Sequence, residues 1–272
     1  MKLKSPITVF APSKINLSLD ILNRDSSGYH EIDTVFYELK SPCDQVIIEG
    51  RDDNEIEIKC DDPKVPTGEK NLVWKILREL GLNGLTITIK KKIPVAGGLG
   101  GGSSDAIAVL KALHHALGLK LTQGRRLQVA KNIGADAAFF LHRYCARGRH
   151  FGEELEGLPY VELPVNIFET GISISSEEAY ESIDLLKCGK DRKKTETLVF
   201  AIKRKNANGI IENMHNDFDE WAFSKYPKLL EIKNRLQKDG ARKVMLAGSG
   251  GALIVCHSES SEAPTGQRRR GI

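Results

Sequence analysis

At 272 residues, with 40% hydrophobic and 28% charged side chains and a net charge of +4, the chain can bury one large or two modest cores and is composed as a soluble protein. No run approaches the roughly 18 apolar residues of a membrane span, no apolar leader opens the chain, and the basic runs at 90–92 and 268–270 read as solvated surface or tail, not as a nucleic-acid face. Cys43, Cys60, Cys145, Cys188 and Cys256 are odd in number and lack C-x-x-C spacing, so the expected setting is a reducing cytoplasm, without a disulfide framework or a protein-built metal cage.

Residues 7–22 alternate with period two, placing Ile15, Leu17, Leu19 and Ile21 on one face of a predicted strand and Lys14, Asn16, Ser18 and Asp20 on the other. Taken alone, Lys14 beside Asn16 is an ordinary solvated pair. Two further strands are expected at 35–39 and 45–60, divided by the turn residues Ser41, Pro42 and Asp44. After a polar loop, Asn71 caps a helix over 72–80 that Gly81 ends, with Trp74 read as core. Residues 85–90 alternate again, as a strand with one wet face.

The stretch P-V-A-G-G-L-G-G-G-S-S-D at 94–105 follows that strand and precedes an apolar-periodic helix expected at 105–117, with Ser103 or Ser104 as its cap. So many glycines contribute nothing to a core, but their amides can curl round an anion, and the helix adds its positive end. Phosphate is the natural guest. A Walker A loop is excluded because no Lys follows Gly102, and a dinucleotide fingerprint wants glycine where Ser103 stands. A flexible linker is the bland alternative; linkers are seldom bracketed so closely by a patterned strand and helix.

Thr122 caps a helix that Gly134 closes after Ile133. Next, Asp136 is the only charge in the apolar window G-A-D-A-A-F-F-L, either as a helix cap or as a functional carboxylate. The pattern breaks near Gly157 and Pro159, where a domain boundary is expected. Beyond it come a strand at 165–168, helices at 177–186, 195–205, 217–222 and 227–238, and strands at 243–246 and 252–256. The last two flank A-G-S-G-G, which is either a plain hairpin turn or a loop packed on the glycine stretch. Residues 258–272 are polar and are expected to be a disordered tail.

P-x-x-x-G-L-G-G-G-S-S-D, G-A-D at 134–136 and A-G-S-G-G, in this order, resemble the motifs of the GHMP kinases, the superfamily of galactokinase, homoserine kinase and mevalonate kinase. A-P-S-K-I-N-L-S-L at 11–19 and R-D-S-S-G-Y-H-E-I-D-T at 24–34 are similar to the branch that phosphorylates cytidine diphosphate methylerythritol in the non-mevalonate isoprenoid route. The resemblance spans residues 10–255. It implies an α+β, two-domain fold: an ATP-binding domain of the ribosomal protein S5 domain 2 type at 1–157 and a ferredoxin-like domain at 158–257.

It further implies transfer of the γ-phosphoryl group of ATP to a 2-hydroxyl, with Asp136 and Lys14 as the catalytic pair. Asn71 and the loop residues Pro94, Val95, Ala96, Gly97, Gly98, Leu99, Gly100, Gly101, Gly102, Ser103 and Ser104 would bind ATP. Asn16, Tyr29, His30 and Tyr180 would bind the cytidine substrate, the aromatics by stacking and His30 through the base edge. Mg²⁺ would enter on the nucleotide, with Ser104 as a candidate side-chain ligand. The expected partner is this small molecule alone, not nucleic acid or membrane, and the expected state a monomer or weak homodimer. Ala138, His150 and Ala247 stand where the family has proline, glycine and serine; His150 is strained if its φ is positive. A GHMP kinase with another small alcohol acceptor, or a nucleotide-binding relative without turnover, remain as alternatives.

Overall fold

Two long strands, β1 (Ile7–Arg24) and β2 (His30–Gly50), form an antiparallel hairpin on which the rest is built in the computed structural model, which describes residues 3, 5–26, 28–142 and 144–257. The expected tail at 258–272 lies outside the described residues. β2 is long enough to take two partners along one edge. β4 (Leu85–Lys90) pairs with its second part and β5 (Cys145–His150) with its first, while β3 (Ile56–Cys60) flanks β4 and β6 (Glu154–Gly157) flanks β5. The expected break at Ser41, Pro42 and Asp44 survives as a bulge: β2 stays extended to a turn at 51–55, but residues 39–42 have no partner on β1. Pairing with β1 resumes on either side, Pro12 opposite Cys43 and Lys14 opposite Glu38, so the turn residues interrupt the ladder without ending the strand.

Helices α1 (Leu72–Glu79), α2 (Gly101–Ala116), α3 (Gln123–Ile133) and α4 (Ala135–His142) cover one face of this sheet. Val73, Leu110, Val129 and Phe139 meet Val46 and Ile87 there in one apolar cluster. The Asn71 side chain accepts the Val73 amide and the Thr122 side chain the Arg125 amide, as the cap residues predicted. α2 differs: Gly100, at φ 69, starts the helix at Gly101, so Ser103 and Ser104 lie inside the first turn and cap nothing. The left-handed glycine makes the entry that a serine cap was expected to make.

The later half supplies β7 (Val165–Phe168), α5 (Ser176–Ser182), a 3₁₀ turn at Leu185–Lys187, α6 (Arg192–Lys203), α7 (Ala207–Asn213), β8 (His215–Asn216), α8 (Phe218–Lys225), α9 (Pro227–Lys238), β9 (Lys243–Leu246) and β10 (Leu253–Cys256). β7, β10 and β9 form a second, antiparallel sheet, while β8 returns to pair in parallel with Ser18 and Leu19 of β1. α7 and β8 carry too few residues to show a period and were not legible in the sequence. The expected boundary at 157 falls between β6 and β7.

The polar face of β1 is not solvated. Lys14 is 4% and Asn16 3% exposed, and Ser18 and Asp20 are fully buried. Asp20 survives there because it accepts the Thr195 hydroxyl at 2.6 Å and faces His215 Nε2 at 3.1 Å. Arg147 on β5 similarly joins Asp33 on β2 to Glu196 on α6 through paired hydrogen bonds of 2.6–3.1 Å. No described helix is long and apolar enough to cross a membrane.

Candidate functional site

The glycine loop is pinned at several points by backbone contacts. Asp44, fully buried, accepts the amides of Lys92 at 2.6 Å and Ile93 at 2.8 Å and so fixes the entrance. The Lys14 amide donates to the Leu99 carbonyl at 3.0 Å, and the Gly251 amide to Ala96 at 3.2 Å. Gly98, at φ +78, lies so close to the A-G-S-G-G turn between β9 and β10 that a Cβ would fall 1.7 Å from the Ala247 carbonyl oxygen. That turn therefore closes a hairpin and packs on the loop as well. The contact is main chain against main chain, so Ala247 in place of serine removes nothing from it.

This loop walls a cavity of about 370 Å³. Pro94, Val95, Ala96, Gly97, Gly98, Leu99, Gly100, Gly101, Gly102 and Ser103 all line it, together with Asn71, Lys14 and Asp136. Lys64 and Lys70, which the sequence pattern did not single out, add positive charge to the same wall, and Lys91, from the run at 90–92 expected to be solvated, is instead buried against Asp44 and Asp105. Ser104 is not on the wall; it is buried, and its Oγ has no hydrogen-bond partner. Trp74 packs half-buried beside Arg78 and also stays off the cavity, in keeping with the core reading of its ring.

Beneath the loop, Lys91 Nζ is held between the buried carboxylates of Asp44 and Asp105, the latter at 3.0 Å. Burial, partly offset by Lys91, pushes the Asp105 carboxyl up to about 7, and its Oδ1 is unpartnered. An acid whose pKa rises on folding binds protons more tightly when folded. Its contribution to stability is fully present below the ordinary carboxylate pKa near 4 and is lost as the pH climbs through about 7. Asp105→Asn should therefore gain on the wild type between pH 5 and pH 8, read as the difference in Tm at each pH. A constant difference across that range would show that Asp105 is ionised throughout.

Lys14 and Asp136, which the resemblance pairs, lie side by side. Lys14 Nζ lies 3.3 Å from Asp136 Oδ2, and also donates to Asn16 Oδ1 at 2.9 Å and the Gly98 carbonyl at 3.2 Å. Asp136 occupies the first turn of α4, with its side chain 32% exposed and facing the cavity. Asn16 is fixed by donating to Thr34 Oγ1 at 2.8 Å. Lys14, Asn16, Ser103, Asp136, Tyr180 and Ser249 line a second, adjoining cavity of about 270 Å³.

A third cavity, about 860 Å³, takes Tyr29, His30 and Tyr180 with Arg24, Lys131 and Phe151. The His30 and Tyr180 rings lie 5.1 Å apart, whereas Tyr29 is 67% exposed and approaches Phe151 instead, at 5.6 Å. Burial, reinforced by Arg24, lowers the His30 pKa and favours the neutral ring, which has one donor and one acceptor nitrogen. Ser176, at the start of α5 and 2.8 Å from the Ser249 hydroxyl, lines all three cavities. Nothing in its sequence neighbourhood marks it. His150 sits at φ 61, the strained conformation expected of a residue replacing that glycine.

Residues 70–144 match the model of the GHMP kinases N terminal domain. The chain is 37% identical, over 96% of its own length and 91% of the relative's, to a 4-diphosphocytidyl-2-C-methyl-D-erythritol kinase of Alkaliphilus metalliredigens. It is 34% identical to one of Thermoanaerobacter pseudethanolicus, over 90% and 85% of the two chains. A crystal structure of 4-(cytidine 5'-diphospho)-2C-methyl-D-erythritol kinase superposes with a TM-score of 0.75 at 30% identity, covering 92% of this chain and 90% of that one. A homoserine kinase from Cytophaga hutchinsonii, TM-score 0.68 at 20% identity over 94% and 86%, shares the fold. With its glycine loop, G-A-D carboxylate and G-Y-H-E segment gathered around three adjoining cavities, and with this likeness running almost end to end, the chain belongs to the 4-diphosphocytidyl-2-C-methyl-D-erythritol kinase family of the GHMP kinases.

Proposed function

We propose that the protein transfers the γ-phosphoryl group of ATP to the 2-hydroxyl of 4-diphosphocytidyl-2-C-methyl-D-erythritol. The observation that carries this reading is that the three cavities share walls: the compartment that holds Lys14 and Asp136 shares Ser103 and Ser249 with the loop-walled cavity and Phe151 and Tyr180 with the aromatic one. ATP occupies the first, its phosphates against the loop amides and the first-turn amides of α2, which have no intrahelical acceptor. Mg²⁺ would enter with the nucleotide and neutralise phosphate charge there; the Ser104 hydroxyl, buried off the cavity wall, is not offered to its shell.

Asp136 accepts or orients the proton of the attacking hydroxyl, and Lys14 holds Asp136 and that oxygen in line. Asn16 steers the erythritol part, and the cytosine rests among Tyr29, His30 and Tyr180. The five unpaired thiols suit a reducing cytoplasm. ADP release with this acceptor, compared against homoserine and mevalonate, tests the assignment directly. No release with the cytidine substrate, despite ATP binding, would leave a nucleotide-binding protein without turnover. In the same assay Tyr29→Ala should raise the KM for the cytidine substrate by about 5-fold or more, at an unchanged KM for ATP. Equal weakening of both would remove Tyr29 from the base site.

A further inference from the structure

Phe151 lies in the turn from β5 to β6, on a backbone that ordinary residues avoid. His150 before it has φ 61 and Gly152 after it φ 100, and the Gly152 amide closes the turn on the Arg149 carbonyl at 3.0 Å. Such conformations persist only when the surroundings hold them. Here Glu153 does so: its carboxylate accepts the Phe151 amide at 3.0 Å and His150 Nδ1 at 2.8 Å. The His150 ring then lies 3.8 Å from that of Phe151. The whole arrangement fixes one aromatic ring, which stands half-buried at a junction.

Its place is specific. Phe151 lines both the 860 Å³ cavity and the 270 Å³ compartment that holds Lys14 and Asp136. Its ring is 5.6 Å from Tyr29 at 50°. A base slotted between two rings needs about 7 Å, twice the ~3.5 Å contact distance of carbon atoms. Tyr29 and Phe151 therefore offer one joined surface to a ligand in the cavity, and removing either ring leaves half of it.

We propose that Phe151 is a specificity-determining residue, a further aromatic wall of the cytosine cavity set where that cavity opens to the acceptor compartment. The inference deepens the functional reading above and rests on it for the identity of the base. It accounts for the strained backbone at His150 and for the Glu153 carboxylate that holds the turn while also facing Lys131.

The test is direct binding of CDP by calorimetry, beside steady-state kinetics, for the wild type, Phe151→Ala, Phe151→Leu and Phe151→Tyr. Phe151→Ala should bind CDP about 10-fold more weakly and raise the KM for the cytidine substrate by a similar factor, with the KM for ATP within 2-fold. Phe151→Tyr should stay within 2-fold of wild type for CDP, and Phe151→Leu should lose most of what Ala loses. Wild-type CDP affinity in Phe151→Ala or Phe151→Leu overturns the proposal, as does an equal rise in both KM values. If Phe151→Ala folds poorly by its Tm, the Leu and Tyr variants decide. Wild-type protein that binds CDP in a Phe151-dependent way but releases no ADP would sink the functional reading and leave the wall standing; no CDP binding at all sinks both.

Discussion

Asp136→Asn should lower turnover by about 10²-fold or more while leaving Tm nearly unchanged. The amide has the shape of the carboxylate and keeps an oxygen for Lys14, but it can neither take a proton nor carry the charge that orients the attacking hydroxyl. Little else depends on that charge. Lys14 retains two acceptors, Asn16 Oδ1 at 2.9 Å and the Gly98 carbonyl at 3.2 Å, so no buried ammonium is orphaned. α4 loses only a first-turn negative charge, about 0.3–1 kcal/mol, while its buried Ala137, Phe139 and Phe140 are untouched. ADP release and thermal melting measured on the same preparation separate the two effects. Near-normal turnover would remove Asp136 from the chemistry, and a collapsed Tm would make it structural.

Gly98→Ala should cost about 3 kcal/mol of stability or more and abolish tight nucleotide binding. Two separate penalties meet at this residue. Its φ of +78 strains any side chain, and the new methyl would sit 1.7 Å from the Ala247 carbonyl oxygen and 2.7 Å from the Gly250 nitrogen. Main-chain atoms on both sides cannot swing away as a flexible side chain would. The two loops must part, and the amides that face the nucleotide part with them. In a chain of this length the loss corresponds to a fall in Tm of about 6–12 °C. Gly102→Ala is the control: within α2 its Cβ meets only Leu72 Cδ1, at 3.7 Å, so Tm should hold or rise slightly. Equal melting of Gly98→Ala and the wild type would mean the loops are not in contact in solution.

Much of this site was legible because its residues act through local chemistry. Asn71 and Thr122 cap the helices they precede, and the run at 94–103 lines the cavity as its glycines implied. Period two also placed Lys14 and Asn16 on one face of β1, though it could not say what covers that face. Elements set by distant pairing were missed. β8 is two residues long and exists through Ser18 and Leu19, and β2 continues past the bulge at Ser41 and Pro42 because β1 pairs with it on both sides. Phe151 and Ser176 reach the cavities only through the fold, each beside residues that suggest a turn or a helix start and nothing more. The exact start of α2 was also out of reach, since the same letters permit a serine cap or a left-handed glycine entry.

In the proposed reaction residue 14 would serve the nucleotide side and the alcohol side at once: its amide donates to Leu99, while its ammonium spans Gly98 and Asp136. Donor and acceptor would thus be gauged from a single residue of β1 instead of from two lobes that must first find each other. A displacement of that residue carries both reference points along together, so the in-line spacing tolerates breathing of the surrounding cavities better than their width alone would suggest.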